Sequence, residues 1–307
     1  MTFLDTLLSM LASPLMQRAL IIALLVGVSA PVIGTYLVQR RLALLGDGIG
    51  HVALTGVAMG WLAGAAAGTG SADALAVPGA IVASIIGALL IEFVRERGRT
   101  SADLALALLF YGGIAGGVLL IGIAGGTAAN LTAYLFGSIS TVDTLDMWLS
   151  VGLAAFILTI GLGLRSALFA LCYDEEFARA SGLPVRTLNI LVAVTAALTV
   201  AISMRVVGVL LVSALMIVPV AVAQLVAVSF RATMGLSMAL GGLVCVVGLS
   251  ITYFHALSPG ATITVLAITL YAAVAAIRPL FHRRHPNAPE SRSKVQLRPQ
   301  LEAAHER

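Results

Sequence analysis

Lysine occurs once in the 307 residues, at Lys294, and only 10% of the chain is charged. Soluble domains carry roughly 25%. Lys294 is followed by Val295, so no G-x-x-x-x-G-K-[ST] phosphate loop exists and a P-loop ATPase is excluded. Neither H-E-x-x-H nor G-x-S-x-G occurs, which removes the two simplest membrane-hydrolase readings. The two cysteines, Cys172 and Cys245, lie in different segments without C-x-x-C spacing. They support neither a disulfide framework nor a thiolate metal site and read as apolar fillers. Aromatic residues make up 6% of the chain, too few for a wide aromatic path that passes a chelated cofactor. The net charge of +4 comes from arginines at span ends and in the tail, which argues against a nucleic-acid partner.

What remains is apolar. Hydrophobic residues make up 60% of the chain and its mean hydropathy is +1.04. Nine membrane spans can be drawn: Leu15 to Val38, Leu42 to Ala63, Ala74 to Val94, Leu104 to Ala124, Met147 to Leu164, Leu188 to Met204, Val206 to Val228, Ala232 to Phe254 and Gly260 to Ile277. The expected fold is therefore an all-α, polytopic transmembrane helical bundle occupying residues 1–281. Only Arg205 separates the sixth and seventh spans, and Pro219 interrupts the seventh, so a broken or re-entrant helix is an open alternative, with eight or ten crossings. With the amino terminus outside, Arg40 and Arg41, Arg95 to Arg99, Arg165 to Arg186, Arg231 and Arg278 to Arg284 all fall in the cytoplasm. The first residues lack the basic region of a secretory signal and are expected to be retained. Residues 282–307 read as a disordered, basic cytoplasmic tail. Glycines recur at four-residue spacing, Gly46 and Gly50, Gly56 to Gly68, and Gly112 and Gly116, a pattern that lets helices approach closely in lipid.

Asp47 and His51 stand alone in the second span. An ionisable side chain at membrane depth costs at least ~2.5 kcal/mol on insertion scales, so it is usually kept to handle an ion or substrate. The four-residue spacing puts both groups on one helix face, with His51 near the midpoint of the drawn span and Asp47 ~6 Å toward the cytoplasm. Carboxylate and imidazole together suit a divalent transition metal. One such pair is half a site, and two copies around a two-fold axis would bring two Asp and two His together. Two other readings stay open: a purely structural hydrogen bond, and a proton relay.

The longest polar interruption, Tyr173 to Asn189, mixes acidic residues with Phe177 and Ala178 before Gly182 and Pro184 supply a stop. A short cytoplasmic helix that docks another protein and a solvated loop both fit this stretch.

The runs LLGDGIGHVALTGVA from Leu44, AYLFGSI from Ala133, YDEEFARASGLPV from Tyr173, RVVGVLLVSALMIVPVAVAQL from Arg205 and SPGATITV from Ser258 resemble the membrane permease of bacterial zinc, manganese and iron ABC importers. The similarity extends over roughly residues 20–280. It implies a type II-like importer permease of the bacterial inner membrane that works as a homodimer. Its partners would be a cytoplasmic ABC ATPase dimer and an extracytoplasmic metal-binding protein. It would hold no permanent cofactor and pass Zn, Mn or Fe as cargo. Asp47 and His51 match the family's metal-path residues, while Gly182, Leu183 and Pro184 match its cytoplasmic coupling region, which extends the expected coupling surface over Asp174, Glu175 and Phe177. Two positions depart from the family pattern: Thr55, where proline is frequent, and Ser258-Pro259-Gly260, where the order Pro-Ser-Gly is frequent. The rival expectation is a secondary carrier that exchanges metal for protons through the same pair without an ATPase.

Overall fold

The computed structural model describes residues 9–68, 75–97, 102–125, 127–138, 143–255 and 257–282. Twelve α-helices and no strands are found among them: α1 Pro14–Gln39, α2 Leu45–Ala66, α3 Ala76–Arg97, α4 Ala102–Ile123, α5 Ala128–Phe136, α6 Thr144–Gly163, α7 Arg165–Tyr173, α8 Glu175–Ala180, α9 Val185–Val207, α10 Val209–Val226, α11 Phe230–Phe254 and α12 Pro259–His282. Nine are long and apolar enough to cross a membrane: all but α5, α7 and α8. The expected tail lies outside the described residues except for His282, which ends α12.

Helix α1 is the centre of the bundle, 72% buried across its apolar window, against 17% for α12. It packs against α6, α9, α10 and α11. Its crossing with α11 is close because Gly27 and Gly241 oppose each other without side chains. Pro31 has no N–H to give the Gly27 carbonyl, and that carbonyl lies against Gly241 instead.

A tight turn joins α1 to α2. Leu42 N–H donates to the Leu37 carbonyl at 2.8 Å and Arg41 N–H to Val38 at 3.1 Å, with Arg41 at φ +59°. This is the Schellman end of a helix, made here with arginine where glycine is usual. Because the turn is so short, the first turn of α2, which holds Asp47, is fixed to the end of the most buried helix.

Pro219 does not interrupt its helix, contrary to the sequence expectation: α10 runs unbroken from Val209 to Val226. The break lies at Gly208, whose φ of +90° separates α9 from α10 and whose Cα faces Phe136 and Gly137 at the end of α5. Pro259 opens α12, where its missing N–H costs nothing. Gly260 then packs on the Phe136 carbonyl, so α5, α9, α10 and α12 meet at one point.

The second helix is enclosed as its glycines suggest, against α3, α4, α9 and α10. In the fourth span, however, the closest contacts are displaced by one residue. Gly113 and Gly117 meet α2 most tightly and a methyl group on Gly116 would stand 3.4 Å from Thr55 Oγ, while one on Gly112 would touch nothing within 4 Å. The run carries two glycine stripes with the same spacing, and spacing alone does not say which one faces the neighbour.

Candidate functional site

Asp47 sits in the first turn of α2 and His51 one turn further on. His51 therefore lies in the second turn of the helix, short of the midpoint expected from the drawn span. The Asp47 Oδ1 to His51 Nε2 distance is 3.8 Å, with the His51 side chain 6% exposed and that of Asp47 24% exposed. That separation is too long for a hydrogen bond. It is shorter than about 4.2 Å, twice a typical metal–ligand bond, a separation that would let both atoms reach one ion.

Neighbouring helices hold the imidazole. Phe110 of α4 meets it edge-on, with ring centroids 4.6 Å apart. Gly113 lets α4 approach until an added methyl group would stand 2.6 Å from the His51 carbonyl carbon. Thr55 Oγ donates to the Gly113 carbonyl at 2.8 Å, a bond across the α2–α4 seam that proline at this position cannot make. Ser213 of α10 faces the Asp47 carboxylate. His51 Nδ1 is buried and has no hydrogen-bond partner. Asp47 opens onto a cavity of about 310 Å³ lined also by Leu44, Leu106, Ala107, Phe110 and Tyr111. No group of three or more His, Cys, Asp or Glu side chains gathers among the described residues, so Asp47 and His51 have no third such side chain beside them.

The second predicted region is a helix and not a solvated loop. Asp174 ends α7 and begins α8, where its carboxylate accepts the Phe177 N–H at 2.9 Å. Gly182 closes α8 at φ +80°, with Leu183 N–H returning to the Ala178 carbonyl at 3.1 Å. Pro184 then precedes the first turn of α9. Ala178 is the buried residue of α8, whereas Phe177 on the same helix is 65% exposed.

Glu175 turns back toward the bundle. It meets Arg40 at 3.1 Å, Arg95 at 4.0 Å and Arg179 at 3.5 Å, while Glu92 holds Arg95 at 2.7 Å. Burial, then the nearby Arg95, lowers the Arg40 guanidinium from its ordinary value, and Glu175 opposes that shift. Arg40, Glu92 and Arg95 belong to an ion-pair cluster with Glu175, and sequence reading counted them only as orientation charges or passed them over. Their arrangement at the ends of α1 and α3 was the available signal. Cys172, behind α8, donates to the Tyr36 carbonyl at 3.7 Å, and burial pushes its thiol up to about 11, which makes it an inert packing group.

Residues 12–278 match the model of the ABC 3 transport family. The manganese transport system membrane protein MntC of Halalkalibacterium halodurans is 31% identical over 257 residues, 84% of this chain and 85% of that protein. The manganese import system permease protein ScaB of Streptococcus parasanguinis is 31% identical over 256 residues, 83% of this chain and 88% of that protein. Among solved structures, PsaBC from Streptococcus pneumoniae in complex with Fab superposes with a TM-score of 0.77 at 29% identity, covering 89% of this chain and 95% of that one.

Proposed function

Because the chain belongs to the ABC 3 transport family, a family of transport permeases and not of enzymes, we propose that it forms the channel of an ATP-driven divalent-metal importer in the bacterial plasma membrane. Asp47 and His51 are its transient ligands. The observation that carries this reading is the 3.8 Å separation of Asp47 Oδ1 and His51 Nε2, beside a cavity and with the second imidazole nitrogen unpartnered. Two copies paired about an axis would offer two carboxylates and two imidazoles to one ion, and alternating access would expose that site to each face in turn. The site has to stay weak, since a closed four-ligand shell traps a metal. Manganese is the favoured cargo over zinc and iron, supported by the names of the related permeases from H. halodurans and S. parasanguinis.

The ion would come from an extracytoplasmic binding protein and the energy from a cytoplasmic ATPase dimer. Helix α8, with Asp174, Glu175, Phe177, Gly182, Leu183 and Pro184, is the coupling surface in this reading. Its support is mechanical: Glu175 pairs with Arg40, and Arg40 lies in the turn that leads directly into the helix of Asp47.

Metal uptake in cells lacking other importers tests the proposal. Asp47→Ala and His51→Ala should each reduce manganese accumulation at least tenfold while the protein still assembles with its ATPase. Undiminished uptake would remove both residues from the path. Uptake that continues without the ATPase would favour the proton-coupled carrier.

A further inference from the structure

Four cytoplasmic arginines, Arg40, Arg95, Arg179 and Arg186, each meet a glutamate within 4.0 Å. Arg41, Arg97 and Arg278 have no carboxylate at ion-pair distance among the described residues, and neither do Arg165 and Arg231. The two line one cavity of about 430 Å³, together with Ser166, Phe169, Ser229 and Phe230. Its floor is rigid. Phe169 and Phe230 pack with centroids 5.0 Å apart at 63°, and Phe230 leans on Tyr36, whose hydroxyl donates to the Gly161 carbonyl. Ser229 Oγ accepts the Ala232 N–H at 3.2 Å, which leaves its own proton free to donate into the cavity.

The depth of this pocket identifies its occupant. Arg165 follows the span Thr144–Gly163 after one residue, and Arg231 lies in the first turn of the span Phe230–Phe254. Leu162 in the last turn of α6 and Leu164 at its C-cap are exposed apolar side chains close to Arg165, the character of a surface that meets acyl chains. The cavity therefore opens where lipid tails give way to headgroups, on the cytoplasmic side by the arginine count. Two unneutralised guanidiniums with hydroxyl donors suit a phosphodiester oxyanion, and basic pockets between membrane helices on this side hold anionic headgroups.

We propose that the Arg165–Arg231 pocket binds the phosphate of an anionic phospholipid of the cytoplasmic leaflet. A bound lipid there would bridge α7 and the start of α11, two helices that each pack on α1. This site is independent of the metal path.

Native mass spectrometry of the full-length protein in detergent tests it, with phosphatidylglycerol and phosphatidylcholine of identical acyl chains as probes. Wild-type protein should retain phosphatidylglycerol in preference. Arg165→Gln or Arg231→Gln should each weaken that retention about fivefold, and the double variant about 30-fold. Replacing both by lysine should restore most of it. Equal retention of the two lipids by the wild-type protein, a comparison that needs no variant, would overturn the proposal. So would a double variant that binds phosphatidylglycerol normally, or millimolar inorganic phosphate that displaces the lipid, which would make the site one for free anions. Loss of ATPase co-purification in the double variant with lipid retention unchanged would assign the surface to protein docking and likewise overturn it.

Discussion

Gly113 has no room for a methyl group, since its Cβ would stand 2.6 Å from the His51 carbonyl carbon and 2.7 Å from Val52 N. These are backbone atoms and cannot rotate away. Gly113→Ala should therefore push α4 off α2, at a cost of about 1–3 kcal/mol, and shift the wall that holds the imidazole. Thermal unfolding of the purified protein should show the loss, and manganese uptake should fall with it. Gly112→Ala, adjacent in sequence but with nothing within 4 Å, is the control and should change stability by less than about 0.5 kcal/mol. Identical behaviour of the two variants would mean that α2 and α4 do not meet along this stripe. Asp47 and His51 were legible in the sequence because charge is rare in an apolar span. The glycine that seats them was not, because Gly112-Gly113 and Gly116-Gly117 present two equivalent stripes, and only the packed neighbour distinguishes them.

Helix α8 is six residues long, too short to hold itself together in water, so its position depends on its caps and on Glu175. The Arg40 side chain is 6% exposed, and removing its partner leaves a buried cation. Glu175→Gln should cost about 1–3 kcal/mol, less than for a fully buried pair because Glu175 is 38% exposed. It should also reduce ATP-driven uptake severalfold as α8 loosens from the α1–α2 turn. The double variant Arg40→Met with Glu175→Gln removes the stranded charge and should recover part of the stability. Strictly additive losses in a double-mutant cycle would deny that the two residues interact. The start and stop of α8 could be read from Asp174 and from Gly182 to Pro184, because caps are local chemistry. Its tether could not be read, since Arg40 is 135 positions from Glu175 in sequence. Helices α5 and α7 escaped sequence reading for another reason: nine residues span too few turns for a periodic pattern to stand out. The left-handed turn at Arg41 was hidden because glycine, its usual marker, is absent.

The nine candidate crossings among the described residues were legible because lipid admits only segments that satisfy their own backbone, and such segments declare themselves by length and apolarity. Their order around the centre was not. Helices α1 and α12 have similar hydropathies, 2.2 and 2.0, yet 72% and 17% burial, because lipid and protein interior are equally apolar. The same ambiguity extends to assembly, where the proposed metal path calls for a second copy: each chain brings one carboxylate and one imidazole to the site, and no third His, Cys, Asp or Glu side chain joins them among the described residues. Mixed dimers decide whether the path is shared. Two differently tagged copies, one wild type and one carrying Asp47→Ala with His51→Ala, can be co-expressed, purified through both tags and reconstituted with the ATPase. If one ion meets ligands from both chains, losing half of its donors should lower transport about tenfold or more, far below the one-half expected of two independent routes. Retention of half the wild-type rate would place a complete pathway in each chain and dismiss the shared site, while leaving the Asp47–His51 pair as the ligand set of a single protomer.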